Sequence, residues 1–372
     1  MEDRTLFIHI GNEKTGSTSL QKFLSQNSEA LKERGFLYPG NPTSAYFEGT
    51  GHFPIAGSLL PYEPEFVTLE KVQRLKDAVS EFVRDVSESA AANVIISSEH
   101  FSSRVTDKAT LLDFKNLLAA TFRKIAIVCY IRDQPALAIS AYSTMIVSGE
   151  RARFAIDKIT PDNRYFDPLS VLELWSSVFG EQAMIVQEYS KEKLTGGDIC
   201  SDFCGAIGLS TVGLIPANAL NVSHGRLNLE LLRQMNGLLP TFTEDSSAWR
   251  TAQRLRGLVL QHLVIPDNST LTLSKAECDQ ILRRFKDRNA ELNRRFMDGT
   301  LSERWFSQQA IDAEEPEIAA AQEFQAQPQT EELIRTFTAT LIALARTLDR
   351  ERTFAKKQQE QAGTSAGQAP VN

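Results

Sequence analysis

The sequence predicts an α/β fold: a parallel sheet flanked by helices, followed by a mainly helical C-terminal half. Short strand-type apolar runs alternate with longer amphipathic segments, as in chains that build a parallel sheet. The runs are apolar almost throughout, which is typical of strands buried on both faces. Polar or charged residues that could bind a ligand or take part in catalysis directly follow three of these runs. That is the sheet edge at which such folds bind their ligands.

The alternation places the individual elements. Strands are predicted over 6–10, 94–97, 125–131 and 183–187. Helices are predicted over 18–34, 69–89 and 108–122 and, in the later half, over 227–238, 249–263 and 275–297. Residues 39–64 are rich in Gly, Pro and aromatic residues and predict a long loop that is either functional or disordered.

Composition narrows the class of protein and of partner. The 372 residues carry a net charge of −7, with 42% hydrophobic and 23% charged residues, which is ordinary for a soluble globular protein. A net negative charge offers no general attraction for nucleic acid or anionic lipid, so neither is an expected partner. An anionic ligand must then be held by local donors. The oligomeric state is left open.

Compartment follows from what the sequence lacks. No apolar run approaches the ~20 residues that span a bilayer, and the chain enters a strand too early to accommodate a signal peptide. The four cysteines lack metal-type C-x-x-C spacing, so we expect reduced, packed thiols. These features predict a cytoplasmic protein.

The most informative segment is the loop after the first strand. Gly11 and Gly16 have the spacing of a phosphate loop, and Ser17 opens the helix that follows. The first N–H groups of a helix have no internal partner and form an anion site. Enzymes that hydrolyse ATP or GTP place Lys directly after the second Gly, whereas here the lysine is Lys14, inside the loop. The loop therefore indicates an anionic nucleotide ligand but not ordinary nucleotide hydrolysis.

Two blocks of the sequence resemble a known family. Residues 14–19, Lys-Thr-Gly-Ser-Thr-Ser, resemble the 5′-phosphosulfate loop of sulfotransferases that use 3′-phosphoadenosine 5′-phosphosulfate (PAPS), and the flanking residues are similar to bacterial carbohydrate-type members. Residues 130–142 resemble the family element that holds the 3′-phosphate through an Arg at a strand end and a Ser eight residues later. Arg132 and Ser140 occupy those positions. The resemblance covers roughly the first 210 residues.

The resemblance implies an activity and a binding site. The chain is expected to transfer a sulfuryl group from PAPS to a hydroxyl or amine of a glycan or small molecule, without a metal. Lys14 is expected to contact the bridging oxygen, and Arg226, in a later basic segment, to contact the 3′-phosphate or adenine. The residues expected to bind PAPS are Lys14, Thr15, Gly16, Ser17, Thr18, Ser19, Arg132, Ser140 and Arg226.

The proton acceptor is open between neighbouring residues. Glu99 and His100 follow a predicted strand, and successive strand side chains point to opposite faces, so a regular strand end aims only one of them at the cleft. The family uses either residue type. Glu99 is ranked slightly ahead, His52 in the long loop is a weaker candidate, and His9 is expected to be structural.

The resemblance, for the first part of the chain, and residue patterns, for the rest, set the expected domain limits. Residues 1–215 are expected to form the PAPS-binding core, and 216–308 a helical part that completes it. Residues 309–355 are expected to form an exposed connection and an amphipathic helix over 331–354, and 356–372 a disordered tail.

Two alternative functions remain at this stage. Asp133 at the end of an apolar run resembles a magnesium-binding Walker B element, which would indicate a P-loop kinase or nucleotide hydrolase. A catalytically inactive nucleotide-binding protein is the other alternative.

Overall fold

The computed structural model describes residues 4–60, 69–217, 225–239, 246–262 and 271–307, together with Phe337. Its sheet has five parallel strands in the order β2-β3-β1-β4-β5. The strands are β1 Thr5–His9, β2 Phe36–Leu37, β3 Asn93–Ser97, β4 Lys124–Ile131 and β5 Met184–Glu188. The predicted α/β class, a parallel sheet flanked by helices, is confirmed.

Helices connect and cover the strands. In chain order they are α1 Ser17–Gln26, α2 Ser28–Lys32, α3 Phe53–Ser58, α4 Leu69–Ser87, α5 His100–Arg104, α6 Lys108–Ala119, α7 Gln134–Ser148, α8 Pro168–Phe179, α9 Ile199–Ala206, α10 Arg226–Leu238, α11 Ser246–His262, α12 Lys275–Arg284 and α13 Lys286–Phe296. Within the described residues, none of these helices is both long and apolar enough to cross a membrane.

Two predicted helices are interrupted in the structure. The segment 18–34 forms α1 and α2, separated at Asn27, whose side chain donates to the Phe23 carbonyl. The segment 275–297 forms α12 and α13, separated at the fully buried Phe285. At both residues ψ is close to zero rather than helical. Apolar periodicity continues across each break, which is why the sequence alone gives one long helix.

The chain forms two compact units. The first comprises the described residues within Met1–Ala138, Ala155–Asn221 and Lys275–Pro316, and the second those within Ile139–Phe154, Val222–Ser274 and Glu317–Asn372. The first contains the sheet and its own large core, and the second has a smaller core built around Leu232 and Met235. Of the predicted C-terminal helix only Phe337 is described, in a helical conformation; the predicted connection and tail lie outside the described residues. The predicted domain limits remain predictions.

The central strands are buried on both faces. Residues 94–96 of β3 and 127–131 of β4 are fully inaccessible to solvent. In register, Thr5 of β1 lies between Asn93 of β3 and Lys124 of β4, so the three strands begin at one level and end close together. The loops that follow them therefore emerge at a common edge.

A buried carboxylate joins the sheet to α9. The Tyr130 hydroxyl donates to Asp202 Oδ2 at 2.8 Å, while the Thr195 N–H and hydroxyl both donate to Oδ1 at 3.0 Å. Asp202 is only 9% exposed. All three donors therefore compensate a carboxylate that has lost its hydration.

Removing the Tyr130 hydroxyl should destabilise the fold. Tyr130→Phe leaves Asp202 Oδ2 without its donor in a buried setting, so we expect a loss of about 1–3 kcal/mol in the free energy of unfolding. Urea denaturation followed by circular dichroism measures the loss. Tyr142→Phe is the matched control, because its hydroxyl makes a 3.4 Å exposed hydrogen bond and its removal should cost less than about 0.5 kcal/mol. Equal losses in the two variants would contradict this assignment.

Candidate functional site

The loop between β1 and α1, residues 11–16, is called the phosphate loop below. Two glycines fix its shape. A Cβ on Gly11 would lie 2.8 Å from His9 Nε2 and 3.1 Å from Ser17 Oγ, closer than packing allows. Gly16 has φ 80°, in the left-handed region, and a Cβ there would lie 3.2 Å from the Tyr189 ring. The spacing read from the sequence thus corresponds to two positions at which a side chain is excluded.

Side chains from within and around the phosphate loop hold its carbonyl groups. Ser102 Oγ donates to the Gly11 carbonyl and Thr15 Oγ1 to the Asn12 carbonyl, both at 2.6 Å. Arg132 Nη1 donates to the Lys14 carbonyl at 2.9 Å. The last bond supports a residue with φ 67°, a conformation that non-glycine residues rarely adopt.

The N–H groups of the same segment are unused. Within the described part of the chain, none of the N–H groups of residues 13–19 donates to a protein acceptor. They belong to the phosphate loop and to the first turn of α1, where a helix has no internal partners for them. A loop whose carbonyl groups are held by hydrogen bonds, and whose N–H groups have no acceptor in the described structure, is typical of an anion-binding site.

Ser17 adds an unpartnered hydroxyl. The residue is only 5% exposed, and its Oγ has no hydrogen-bond partner among the residues that the structure describes. Leaving a buried hydroxyl unsatisfied costs about 1–3 kcal/mol, so an oxyanion at this position would remove that cost. This orphaned atom is the observation by which the loop fits a phosphate or sulfate group.

Lys14 is positioned as a free cation. Among the residues that the structure describes, its ammonium has no hydrogen-bond or ion-pair partner, although its side chain is partly buried. Thr15 differs from expectation in its side chain, because the hydroxyl is committed to Asn12 and only its N–H is available. Thr18 is exposed and Ser19 is partly exposed on α1.

Arg132 lies beside the phosphate loop at the end of β4. Its guanidinium is 5.7 Å from the centre of the Tyr189 ring, and burial lowers its pKa without threatening its charge. The structure thus brings Arg132 to the loop as the sequence predicted. Its immediate role is to hold the Lys14 backbone.

Two predicted contacts fall in the second unit. Ser140 occupies a partly exposed position on α7, and Arg226 is the first residue of α10. Residues 218–224, which precede Arg226 in the predicted binding segment, lie outside the described residues. The roles of Ser140 and Arg226 remain predictions.

Asp133 has a structural task. Its Oδ1 accepts the Ala136 N–H at 2.9 Å and its carbonyl accepts the Leu137 N–H, so it caps the start of α7. Burial raises its pKa. Among the described residues, no group of three or more His, Cys, Asp or Glu is arranged to hold a metal ion.

The side chains of Glu99 and His100 accept hydrogen bonds from different residues. Gln21 Nε2 donates to Glu99 Oε2 at 2.9 Å, and the other carboxylate oxygen has no hydrogen-bond partner among the described residues. Arg104 Nε donates to His100 Nδ1 at 3.1 Å, which assigns the proton of the neutral ring to Nε2. Burial lowers the pKa of His100 below its usual 6.5; the Glu99 carboxylate opposes this shift and the Arg104 guanidinium adds to it.

His52 has no nitrogen available for catalysis. Its Nδ1 accepts the Ser97 N–H at 3.2 Å, and Nε2 hydrogen-bonds the Pro39 carbonyl at 2.9 Å. The ring is fully buried among Tyr38, Tyr46 and Phe47 and ties the long loop to β3. His52 is therefore a structural residue, and its candidacy as base is wrong.

His9 is also buried, with Nδ1 2.7 Å from Ser97 Oγ and Nε2 unpartnered. Burial lowers the pKa of both His9 and His52 to about 3. Both rings are therefore neutral at physiological pH.

Three residues near the phosphate loop carry no sequence signal. Ser102 holds the Gly11 carbonyl, and Arg164 and Tyr165 lie beside Asn12 and Glu13 in a segment without a recognisable motif. Their proximity to the loop arises from chain folding over long sequence separations. Periodicity and motif spacing cannot reveal it.

The comparisons with known proteins found one solved structure to report, at low similarity. No protein-family model matches the chain, and no curated protein matches it. A sulfotransferase from Alicyclobacillus acidocaldarius, known from its crystal structure, is similar at 16% identity, covering 67% of this chain and 99% of that one, with a TM-score of 0.34. So low a score supports no inference about function, which must come from the site itself.

The two buried histidines should make stability fall in mild acid. In the unfolded chain the His9 and His52 side chains have pKa values near 6.5. Between that pH and about 3, the unfolded chain therefore binds more protons than the folded protein. Stability is complete above the unfolded pKa, and each histidine then removes up to about 1.4 kcal/mol per pH unit as pH falls. Urea denaturation between about pH 7 and pH 5 measures this slope. His52→Gln should clearly reduce the slope of the unfolding free energy against pH. His100→Gln should reduce this slope less, because His100 is less buried. An unchanged slope in His52→Gln would contradict the assignment.

Proposed function

We propose that this chain is a sulfotransferase that moves a sulfuryl group from PAPS to a hydroxyl or amine of a small molecule or glycan. The observation that carries the proposal is the phosphate loop, where N–H groups, the Ser17 hydroxyl and the Lys14 ammonium all lack partners within the described part of the chain. These are donors without acceptors around one short segment, which suits an anionic co-substrate. The family resemblance of residues 14–19 and 130–142 supports PAPS as that co-substrate.

In the proposed reaction, PAPS supplies the sulfuryl group. The S–O bond to the 5′-phosphate breaks as the acceptor oxygen or nitrogen bonds to sulfur, giving the sulfated acceptor, 3′-phosphoadenosine 5′-phosphate and a proton. The N–H groups at the start of α1 and the Ser17 hydroxyl hold oxyanion oxygens. Lys14 stabilises the negative charge that develops on the leaving phosphate. Preorganised donors of this kind usually supply a large share of catalysis.

Arg132 supports Lys14 through the backbone. Its bond to the Lys14 carbonyl holds φ at 67° and thereby fixes the point from which the lysine side chain starts. The guanidinium has further N–H groups, and we propose that they contact the phosphate as the resemblance implies. One residue would thus both shape the loop and bind its ligand.

Glu99 is the proposed base. Its Oε1 is free of hydrogen bonds among the described residues, and Gln21 orients the carboxylate. His100 is less suited, because Arg104 occupies Nδ1 and the proton of the neutral ring is on Nε2. For His100 to accept a proton, its bond to Arg104 must first break.

The kinase or hydrolase alternative lacks support in two places. Ser17 occupies the position of the phosphate-binding lysine in such enzymes, and the Asp133 carboxylate caps α7. The catalytically inactive binder is separated from the proposed enzyme only by measuring turnover.

Ligand-induced stabilisation tests the donor. At a hundred times its dissociation constant, 3′-phosphoadenosine 5′-phosphate should stabilise the fold by about 2.7 kcal/mol, visible as a rise in the melting temperature. Lys14→Ala should weaken this rise at little cost to the apo protein, because the ammonium has no partner among the described residues. Lys22→Ala, on the exposed side of α1, is the matched control and should behave as the parent protein. Stabilisation only by ATP with magnesium would overturn the proposal in favour of a kinase or hydrolase.

Replacing the candidate bases tests the proton acceptor. With a hydroxyl acceptor found by screening with radiolabelled PAPS, Glu99→Gln should lower kcat by about 10²–10⁴-fold while keeping the bond to Gln21. His100→Asn should have a much smaller effect. The reverse order would transfer the role to His100, and no turnover in the parent protein with any acceptor would favour an inactive binder.

A further inference from the structure

The long loop that follows β2 makes a close contact with α1. At Gly51 a Cβ would lie 2.9 Å from both Cδ and Oε1 of Gln21 and 3.2 Å from the Ser97 carbonyl oxygen. Both distances to Gln21 are shorter than packing allows, so the loop can approach the Gln21 amide this closely only at a residue without a side chain. The φ of Gly51 is not in the left-handed region, so lack of space, rather than backbone strain, excludes a side chain there.

The backbone on the loop side of this contact is held in place. The N–H groups of Glu48 and Gly51 each donate to the other residue's carbonyl, at 3.0 and 3.1 Å. His52, the next residue, donates its N–H to the Ser97 carbonyl at 2.9 Å and accepts the Ser97 N–H at Nδ1. Ser97 is itself the last residue of β3. Of the groups that meet at Gly51, the Gln21 side chain is therefore the one that is free to move.

The Gln21 amide is also the hydrogen-bond partner of the proposed base. Its Nε2 donates to Glu99 Oε2 at 2.9 Å, in a partly buried setting. No other described residue forms a hydrogen bond with the Glu99 carboxylate. The orientation of this carboxylate therefore depends on where the Gln21 amide lies, and the position of the amide is limited by the backbone at Gly51.

We propose that Gln21 is a positioning residue for Glu99, and that the long loop keeps the Gln21 amide in place because residue 51 has no side chain. The proposal rests on the sulfotransferase function, and on the role of Glu99 as base, proposed above. Because the amide holds Oε2, Oε1 is the oxygen that receives the proton of the acceptor. Orientation of this kind matters, since a misplacement of about 1 Å can cost on the order of 10²-fold in rate. The long loop, whose His52 is structural, thus acts on the base through α1.

The NMR resonances of the Gln21 side-chain amide test the contact without any assumption about the reaction. They are assigned in the full chain from their absence in Gln21→Ala. Gly51→Ala should shift them, because the added methyl group would lie 2.9 Å from Cδ, and Glu99→Ala should shift them because the acceptor is lost. Lys22→Ala, on the exposed side of α1, is the control and should leave them in place. Unshifted resonances in Gly51→Ala would overturn the proposed link between the loop and the amide.

Turnover tests the positioning role. With PAPS and an acceptor found by screening, Gln21→Ala and Gly51→Ala should each lower kcat by about 10–10²-fold. The KM for PAPS should not change, because neither residue belongs to the phosphate loop. Gln21→Glu keeps the shape of the side chain but replaces the donor with a second carboxylate, so it should lower kcat as much as Gln21→Ala does. A parent-like kcat in Gln21→Glu would show that the side chain serves only for packing and would overturn the proposal.

A double variant separates positioning from a structural effect of the loop. In Gln21→Ala the side chain that Gly51→Ala displaces is already absent, so adding Gly51→Ala should lower kcat no further. If Gly51→Ala acts instead through the Ser97 carbonyl, its effect will persist in the Gln21→Ala background, and the proposal is overturned. Urea denaturation shows whether each variant folds. If Gly51→Ala does not fold, the comparison of Gln21→Glu with the parent protein still decides the role of Gln21.

The same proteins distinguish this proposal from the function on which it rests. Stabilisation by 3′-phosphoadenosine 5′-phosphate should persist in Gln21→Ala and Gly51→Ala. If the parent protein sulfates an acceptor and Gln21→Glu does so equally well, only the positioning proposal fails. If the parent protein sulfates no acceptor although the amide resonances respond as expected, the proposed function fails, and the role assigned to Gln21 is overturned with it.

Discussion

The candidate site depends on hydrogen bonds that hold the carbonyl groups of the phosphate loop. Ser102 from α5, Thr15 within the loop and Arg132 from the end of β4 each donate to one carbonyl. With the carbonyls held in this way, the N–H groups of residues 13–19 remain free of protein acceptors in the part of the chain that the structure describes. The donors come from elements adjacent in the sheet, so the loop geometry depends on the order β3-β1-β4.

The basic residues near the phosphate loop differ in what they contact. The Arg132 side chain donates to the Lys14 carbonyl and so holds the backbone of the loop. The Lys14 ammonium has no partner among the residues that the structure describes. Arg164 lies with Asn12 and Glu13 in the lining of a small cavity. On the function proposed above, the phosphate loop binds the sulfuryl donor. The chain carries a net charge of −7, so the proposed anion binding depends on these local cations rather than on an overall field.

The histidines illustrate how far residue type alone can mislead. A histidine in a long, glycine-rich loop is a reasonable candidate for catalysis, yet His52 has both nitrogens in hydrogen bonds to backbone and is packed between aromatic rings. His100 retains partial access, and the proposal of Glu99 over His100 rests on the hydrogen bond that His100 accepts from Arg104, one helical turn further on. Which neighbour donates to a ring nitrogen is a matter of side-chain geometry, and the sequence does not contain it.

The sequence by itself determined the parallel α/β class, the central strands and the phosphate loop. Each depends on local information: continuous apolar runs, a 3.6-residue period, and two glycines at positions where a side chain is excluded. It also predicted that Arg132 lies near the loop, because the ends of neighbouring parallel strands share an edge of the sheet. The tertiary structure alone decided that Asp133 caps a helix, that His52 is structural, that 18–34 and 275–297 each break into two helices, and that Arg164 lies near the phosphate loop. These outcomes depend on contacts between residues far apart in the chain, and their energies are fixed only when the packed side chains meet.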